Sequence, residues 1–191
     1  VGDFKIVSQP SASSVSVGVM IPFVVQLDPS TVGPLAATLT IKNNDGDEGT
    51  YTVNVQGTGV APNIDVQEGG TSRASGYTAD FGQVKIGLTN TLNFTINNTA
   101  GAGSGNLNLK STPYVIIAGP GASFYSVAQP GSGAISPGGS AAFSLTFNPP
   151  YNSTGVGNKT ATVYIYSDDS DTPIYTMNLT GVGTQPEIEV A

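Results

Sequence analysis

Apolar and polar residues alternate with a period of two along most of this chain. Phe23–Leu27 (FVVQL), Ala37–Lys42 (ATLTIK) and Thr50–Val55 (TYTVNV) do so in the first third. Phe143–Phe147 (FSLTF), Ala161–Tyr166 (ATVYIY) and Tyr175–Leu179 (YTMNL) do so in the last. Clusters of Gly, Pro, Asn, Asp and Ser separate these runs, and no window carries a helical apolar period over ten residues. Successive side chains of a strand point to opposite faces, so the pattern predicts short strands joined by turns. Between 61 and 184 the predicted strands are Ile64–Val66, Val84–Ile86, Leu92–Ile96, Leu107–Leu109, Tyr114–Ile117, Phe124–Val127, Ala142–Phe147, Ala161–Tyr166 and Tyr175–Leu179. That number of short strands over such a length fits an immunoglobulin-like sandwich. Leu92, Phe94 and Ile96 share a face, as do Phe143, Leu145 and Phe147, Val163 and Ile165, and Met177 and Leu179. These residues are the expected core of that segment. Phe23, Val25, Leu27, Leu39, Ile41, Val53 and Val55 are the equivalent expectation for the preceding sixty residues.

The two sets are equivalent because the chain repeats itself. Phe4–Pro29 aligns with Phe124–Pro149 at a constant offset of 120, matching Phe4 to Phe124, Gln9-Pro10 to Gln129-Pro130 and Phe23 to Phe143. Four extra residues around PYNSTGVGN then move the offset to 124, which matches Ile41 to Ile165, Asp45 to Asp169, Gly57 to Gly181 and Pro62 to Pro186. The expected organisation is a partial unit at 1–60, a complete unit at 61–184, and at 185–191 either the first strand of a following unit or a donor strand. Segment 1–60 matches only the second half of 61–184, so about four strands lack a counterpart in it. A half sandwich leaves a core face and strand edges bare, which favours association.

Composition changes the picture mainly by exclusion. The 191 residues include 25 Gly and 13 Pro and are 38% hydrophobic, too apolar and too patterned for disorder. Thirteen acids against six scattered bases give a net charge of −7, so the basic stripe that nucleic acid requires is missing. No apolar run approaches the roughly 20 residues of a membrane-spanning helix. A Cys-free, Lys-poor chain rich in Thr, Asn and Gly points to secreted bacterial β-proteins. With neither His nor Cys, a Ser-His-Asp or Cys-His nucleophile and the usual zinc ligands are excluded. Carboxylates are the remaining candidates for acid–base work, but they fall in turns and strand ends, and there is no Trp to stack a sugar.

Three sets of residues remain as candidate sites. The acidic turns NNDGDEG (Asn43–Gly49) and SDDSDTP (Ser167–Pro173) occupy equivalent positions. Asp45, Asp47, Asp168, Asp169 and Asp171 are the oxygen donors a calcium ion would use there. Asp, Asn and Gly are equally what tight turns require without a metal, and that is the favoured reading. Tyr164 and Tyr166 lie on the outward face of their strand, where the first copy has Thr40 and Lys42. They could offer a platform to a glycan or a protein, or simply cover a neighbouring loop. Asn93, Asn97 and Asn178 sit in outward-facing glycosylation sequons, as sites for glycans in a eukaryotic secretory or an archaeal setting.

The motifs PNIDV, DFGQVKIG and LNFTINNTAG, followed by ISPGGSAAFSLTFNPP, ATVYIYSDD and YTMNLTGVG, resemble the ASH (ASPM–SPD-2–Hydin) type of immunoglobulin-like domain. Such repeats are also found in bacterial choice-of-anchor D proteins. The resemblance implies tandem sandwiches of the major-sperm-protein type, with scaffolding or interaction roles and no catalytic residues or cofactor. Sequence and resemblance together lead to a non-enzymatic structural segment of an extracellular or cell-surface protein, a stalk, spacer or filament. Its expected partners are neighbouring repeats of a longer chain or head-to-tail copies of itself. The alternative is a glycan- or protein-binding accessory module of a secreted enzyme or adhesin.

Overall fold

The computed structural model describes residues 2–185. Its chain divides into two compact units, Val1–Val60 and Ala61–Ala191. The short strand expected at 185–191 falls, but for Gln185, outside the described residues.

The first unit contains β1 (Phe4–Ser8), β2 (Val24–Leu27), β3 (Gly33–Lys42) and β4 (Thr50–Gly59). They form two antiparallel pairs, β1 with β2 and β3 with β4. Val25, Leu27, Leu39, Ile41, Val53 and Val55 alternate inward along them but are only half-buried. Phe23 lies outside β2 and is exposed. The expectation that these residues form a core is therefore corrected: they share faces, and among the described residues no opposing layer closes over them.

The second unit has two opposed sheets of its own. Its strands are β5 (Ile64–Glu68), β6 (Thr71–Arg73), β7 (Tyr77–Lys85), β8 (Asn90–Asn98), β9 (Leu107–Asn108), β10 (Val115–Ala118), β11 (Tyr125–Ala128), β12 (Ala134–Ile135), β13 (Ser140–Phe147), β14 (Gly157–Tyr166) and β15 (Ile174–Thr184). One sheet runs β11-β13-β8-β5-β6 and the other β10-β14-β15-β7, with β9 and β12 as a small separate pair. The sheets enclose Val66, Ile96, Leu145, Phe147, Val163, Ile165 and Met177, all fully buried, with Phe94, Phe143 and Leu179 nearly so. Phe94 and Phe143, cross-strand partners in adjacent strands, stack at 5.3 Å. Leu92, expected in the core, packs against it while staying half-buried at the end of β8. The molecule is thus an all-β immunoglobulin-like sandwich in this unit.

Among the described strands all pairings but one are antiparallel. Strand β7 runs parallel to β15, from Tyr77 opposite Met177 to Lys85 opposite Thr184. The register slips between Thr180 and Val182, where Gly82 adopts a left-handed φ of 64°. This bulge brings Phe81 and Val84, three residues apart, both into the buried interior. A period-two reading loses β7 at that point, which is why only its end was predicted.

The two units share local construction. Every β3–β4 pair, from Gly33↔Gly59 to Lys42↔Thr50, recurs 124 positions later in β14–β15, from Gly157↔Gly183 to Tyr166↔Ile174. In each unit a glycine lies where a Cβ would collide with a backbone oxygen: Gly59 against Thr31 and Gly183 against Gly155. Gly57 and Gly181 likewise make room for Leu27 and Phe147.

Candidate functional site

An open groove of about 1010 Å³ lies on the first unit, lined by Ile6, Phe23, Leu39, Ile41 and Asp45 among others. Its apolar lining follows from the uncovered faces of β2 and β3. Val15, Val17 and Met20, in the loop between β1 and β2, add further exposed apolar surface. Such surface on one small unit is the mark of an interaction site.

The acidic turn at the edge of this groove has a counterpart in the second unit, and the two are built alike. Asn43 N–H donates to the Gly49 carbonyl, and Ser167 N–H donates to that of Pro173. The Asn43 amide donates to Glu48 O and its oxygen accepts from Asp45 N; Ser167 Oγ makes the same two contacts with Thr172 O and Asp169 N. Asp45 Oδ1 accepts from Asp47 N at 3.2 Å, and Asp169 Oδ1 from Asp171 N at 2.8 Å.

The turns part company at the other carboxylate oxygen. Asp169 is only 2% exposed, and its Oδ2 accepts the Ile64 N–H at 2.8 Å. It thereby pins the first residue of β5 to the turn between β14 and β15. Asp45 is exposed, and its Oδ2 has no hydrogen-bond donor among the described residues. Asp168 faces elsewhere, accepting from Asn108 N and Nδ2 at 2.7 Å, with Lys110 at 3.5 Å. Desolvation pushes its carboxyl upward, but the two Asn108 hydrogen bonds and the Lys110 charge outweigh it and hold the group below the usual carboxylate range.

The five aspartates named for calcium therefore belong to two turns in different units; Asp45, Asp168 and Asp169 accept backbone N–H groups, while Asp47 and Asp171 supply two of those N–H groups. Among the described residues no three acidic side chains are placed to hold a metal ion. The turn chemistry explains these residues without one.

Tyr164 and Tyr166 lie on the outer face of the β10-β14-β15-β7 sheet, half-buried, with rings stacked at 6.5 Å and 17°. Each ring covers part of the other, leaving a narrow aromatic ridge. Asn93 projects outward from β8 and is exposed. Asn97 and Asn178 spend their amides on backbone carbonyls, Asn97 on Asp65 O and Asn178 on Gly76 O.

Two polar devices have no clear signal in the sequence. Asn98, fully buried, donates to Ile135 O and Gly105 O and accepts from Asn63 N and Ala100 N, tying three loops together. The Arg73 guanidinium lies 4.6 Å from the Tyr77 ring centre and 3.0 Å from Glu68, which also accepts the Tyr77 hydroxyl. The Asp169 clamp was half legible, since the repeat aligned it with Asp45 but nothing local pointed to Ile64.

No curated protein matches the chain in sequence. Among solved structures it is similar to a protein of unknown function from Porphyromonas gingivalis W83, at 17% identity and TM-score 0.49 over 95% of this chain and 86% of that one. It is also similar to the ASH / PapD-like domain 7 of human CEP192, at 16% identity and TM-score 0.43 over 65% and 87%. Another similar chain is the secreted serine protease VesC from Vibrio cholerae, at 19% identity and TM-score 0.38 over 55% of this chain and 21% of that one. A family profile, the HYDIN/CFA65/VesB-like Ig-like domain, matches residues 75–181. That span is more than half of the chain and takes in β7 to the middle of β15, so the chain belongs to the HYDIN/CFA65/VesB-like family of Ig-like domains, of ASH type.

Proposed function

We propose that this chain is a non-enzymatic structural segment of an extracellular or cell-surface protein, a spacer or stalk built of tandem Ig-like units that transmits tension. The observation that carries the reading is the parallel ladder between β7 and β15. Strand β7 lies near the start of the second unit and β15 closes it. Tension applied to the two ends of the unit first draws on β5 and β6, which precede β7, and once it reaches β7 it pulls these parallel strands past each other. The hydrogen bonds of the ladder are then loaded together in shear, whereas an antiparallel hairpin loaded at its open end is unzipped one bond at a time. The Ala79, Phe81 and Val84 side chains of β7 are buried and resist the same sliding.

Force spectroscopy on the chain held at both ends tests this. The second unit should extend in one discrete high-force event. Thr78→Pro and Ala79→Pro probe the ladder, because the N–H groups of neighbouring strand residues point to opposite edges and proline removes one from the β15 side. One of the two should lower the force several-fold. Gradual extension without a peak, or a peak that neither proline changes, would sink the proposal.

The Tyr164–Tyr166 ridge supports a second reading, a glycan- or protein-binding accessory module. A glycan array with hits lost in the Tyr164→Ala/Tyr166→Ala double variant would favour it, and an empty array would remove it.

A further inference from the structure

We propose that the groove of the first unit receives the Pro186–Val190 segment of a second copy of this chain, added as an extended strand. The inference rests on the structural role above and names a partner for it. In the second unit the Pro62–Val66 segment is held in three ways. Its Ile64 and Val66 side chains are buried, at 8% and 0% exposure, its backbone pairs with β8, and its Ile64 N–H donates to Asp169 Oδ2. The first unit carries two of these three elements, the carboxylate and the apolar lining, without a counterpart of β8. Asp45 stands at the Asp169 position of a turn that shares its hydrogen bonds except the Thr172 N–H to Asp169 Oδ1, and the equivalent oxygen lacks a donor among the described residues. It borders a groove lined by Ile6, Phe23, Leu39 and Ile41.

The chain also carries the ligand half. PEIEV (Pro186–Val190) matches PNIDV (Pro62–Val66) at every position but the second, allowing Glu for Asp, and at the same offset of 124 that relates Asp45 to Asp169. The other alternating segments, β3, β4, β8, β13, β14 and β15, are already paired within their own units. Laid in the groove, a PEIEV strand turns Ile188 and Val190 toward Phe23, Leu39 and Ile41, with Glu187 and Glu189 toward water. The Ile188 N–H then meets the Asp45 carboxylate, a charge-assisted hydrogen bond. A groove of about 1010 Å³ has room for such a five-residue strand.

Two measurements on the full chain test the proposal. Analytical ultracentrifugation should show mass rising with concentration. Ile188→Asp should abolish that rise, and Asp45→Ala should weaken it by at least about tenfold, the cost of a hydrogen bond to a charged group. A full chain that stays monomeric, or association that survives Ile188→Asp, overturns the proposal; the second result would mean the open faces of two first units pack on each other. Because the chain has no Cys, Asn44→Cys with Glu187→Cys introduces the only thiols, one beside each partner. Oxidation should yield disulfide-linked dimers and longer ladders, and a bond closing within one chain would overturn the second-copy occupant. A monomeric chain that still gives the force peak refutes only this inference, and an associating chain without that peak refutes only the mechanical role.

Discussion

A Cβ on Gly183 would lie 1.8 Å from the Gly155 carbonyl oxygen and 3.1 Å from the Pro149 ring, so the last strand passes a loop with no space for any side chain. The clash is with backbone, which cannot swing aside as a side-chain end would. Gly183→Ala should therefore destabilise the second unit by about 2 kcal/mol or more, an overpacking cost, in urea denaturation followed by far-UV circular dichroism. Gly157→Ala is a different case. Its added methyl meets nothing within 4 Å, but its φ of 90° strains any L-residue. It should cost less than Gly183→Ala, about 1 kcal/mol. Equal losses would mean that backbone strain, not the close approach, decides the glycine positions of β14 and β15. The repeat that matched Gly57 to Gly181 also carries Gly59 onto Gly183 at the same offset; the reason for these two lies in Thr31 and Gly155, which no pattern along the strand connects to them.

At the scale of elements, two buried tyrosines tether loops and strands that alternation alone would leave independent. The Tyr125 hydroxyl donates to Lys159 O at 2.7 Å, joining β11 to β14. The Tyr175 hydroxyl donates to Arg73 O at 2.9 Å, joining β15 to the end of β6. Burial pushes both phenols up to about 12, with Asp80 adding to the effect on Tyr125 and Asp65 to that on Tyr175. A folded-state value above the unfolded one of about 10 favours the neutral phenol in the fold. Its stabilisation is complete below about pH 10 and is lost as pH rises toward 12. Urea midpoints measured from pH 8 to 12 should be flat at first and then fall steeply. Tyr175→Phe should be less stable at pH 8, through the lost hydrogen bond, yet show a shallower alkaline fall. An unchanged slope in both Tyr175→Phe and Tyr125→Phe would contradict this assignment.

The same scale shows what alternation could reveal. Strands with an unbroken period of two, β3, β4, β8, β13, β14 and β15, were legible because one face of each is apolar. The two-residue β9 and β12 are too short to carry a period, although Leu107–Leu109 was read from its apolar content. Polar β6, Thr-Ser-Arg, has no apolar face to read. In β7 the bulge at Gly82 reset the phase between Phe81 and Val84. At the candidate sites the turn residues were legible as turns, whereas the Asp169–Ile64 bond joins residues 105 positions apart, and only the fold brings them together.

For the whole molecule, the decisive contrast is between equivalent positions in its two units. Val163, Ile165, Met177 and Leu179 are at most 1% exposed, whereas Leu39, Ile41, Val53 and Val55 are only half-buried. Burial of apolar area supplies the main driving force for folding, on the order of 25 cal/mol per Å². Two units with such different burial must therefore differ in local stability. Amides of β8, β13, β14 and β15 should exchange with solvent only through global opening of the second unit. Those of β1 to β4 should exchange orders of magnitude faster in dilute solution. Hydrogen exchange read by mass spectrometry at two protein concentrations makes the comparison. If a partner strand occupies the groove, raising the concentration should slow exchange in β2 and β3 while leaving β8 and β13 unchanged. Protection in the first unit equal to that of the second in dilute solution would mean that the half-buried apolar faces are stabilised by something other than an opposing layer, and the contrast between the units would lose its energetic meaning.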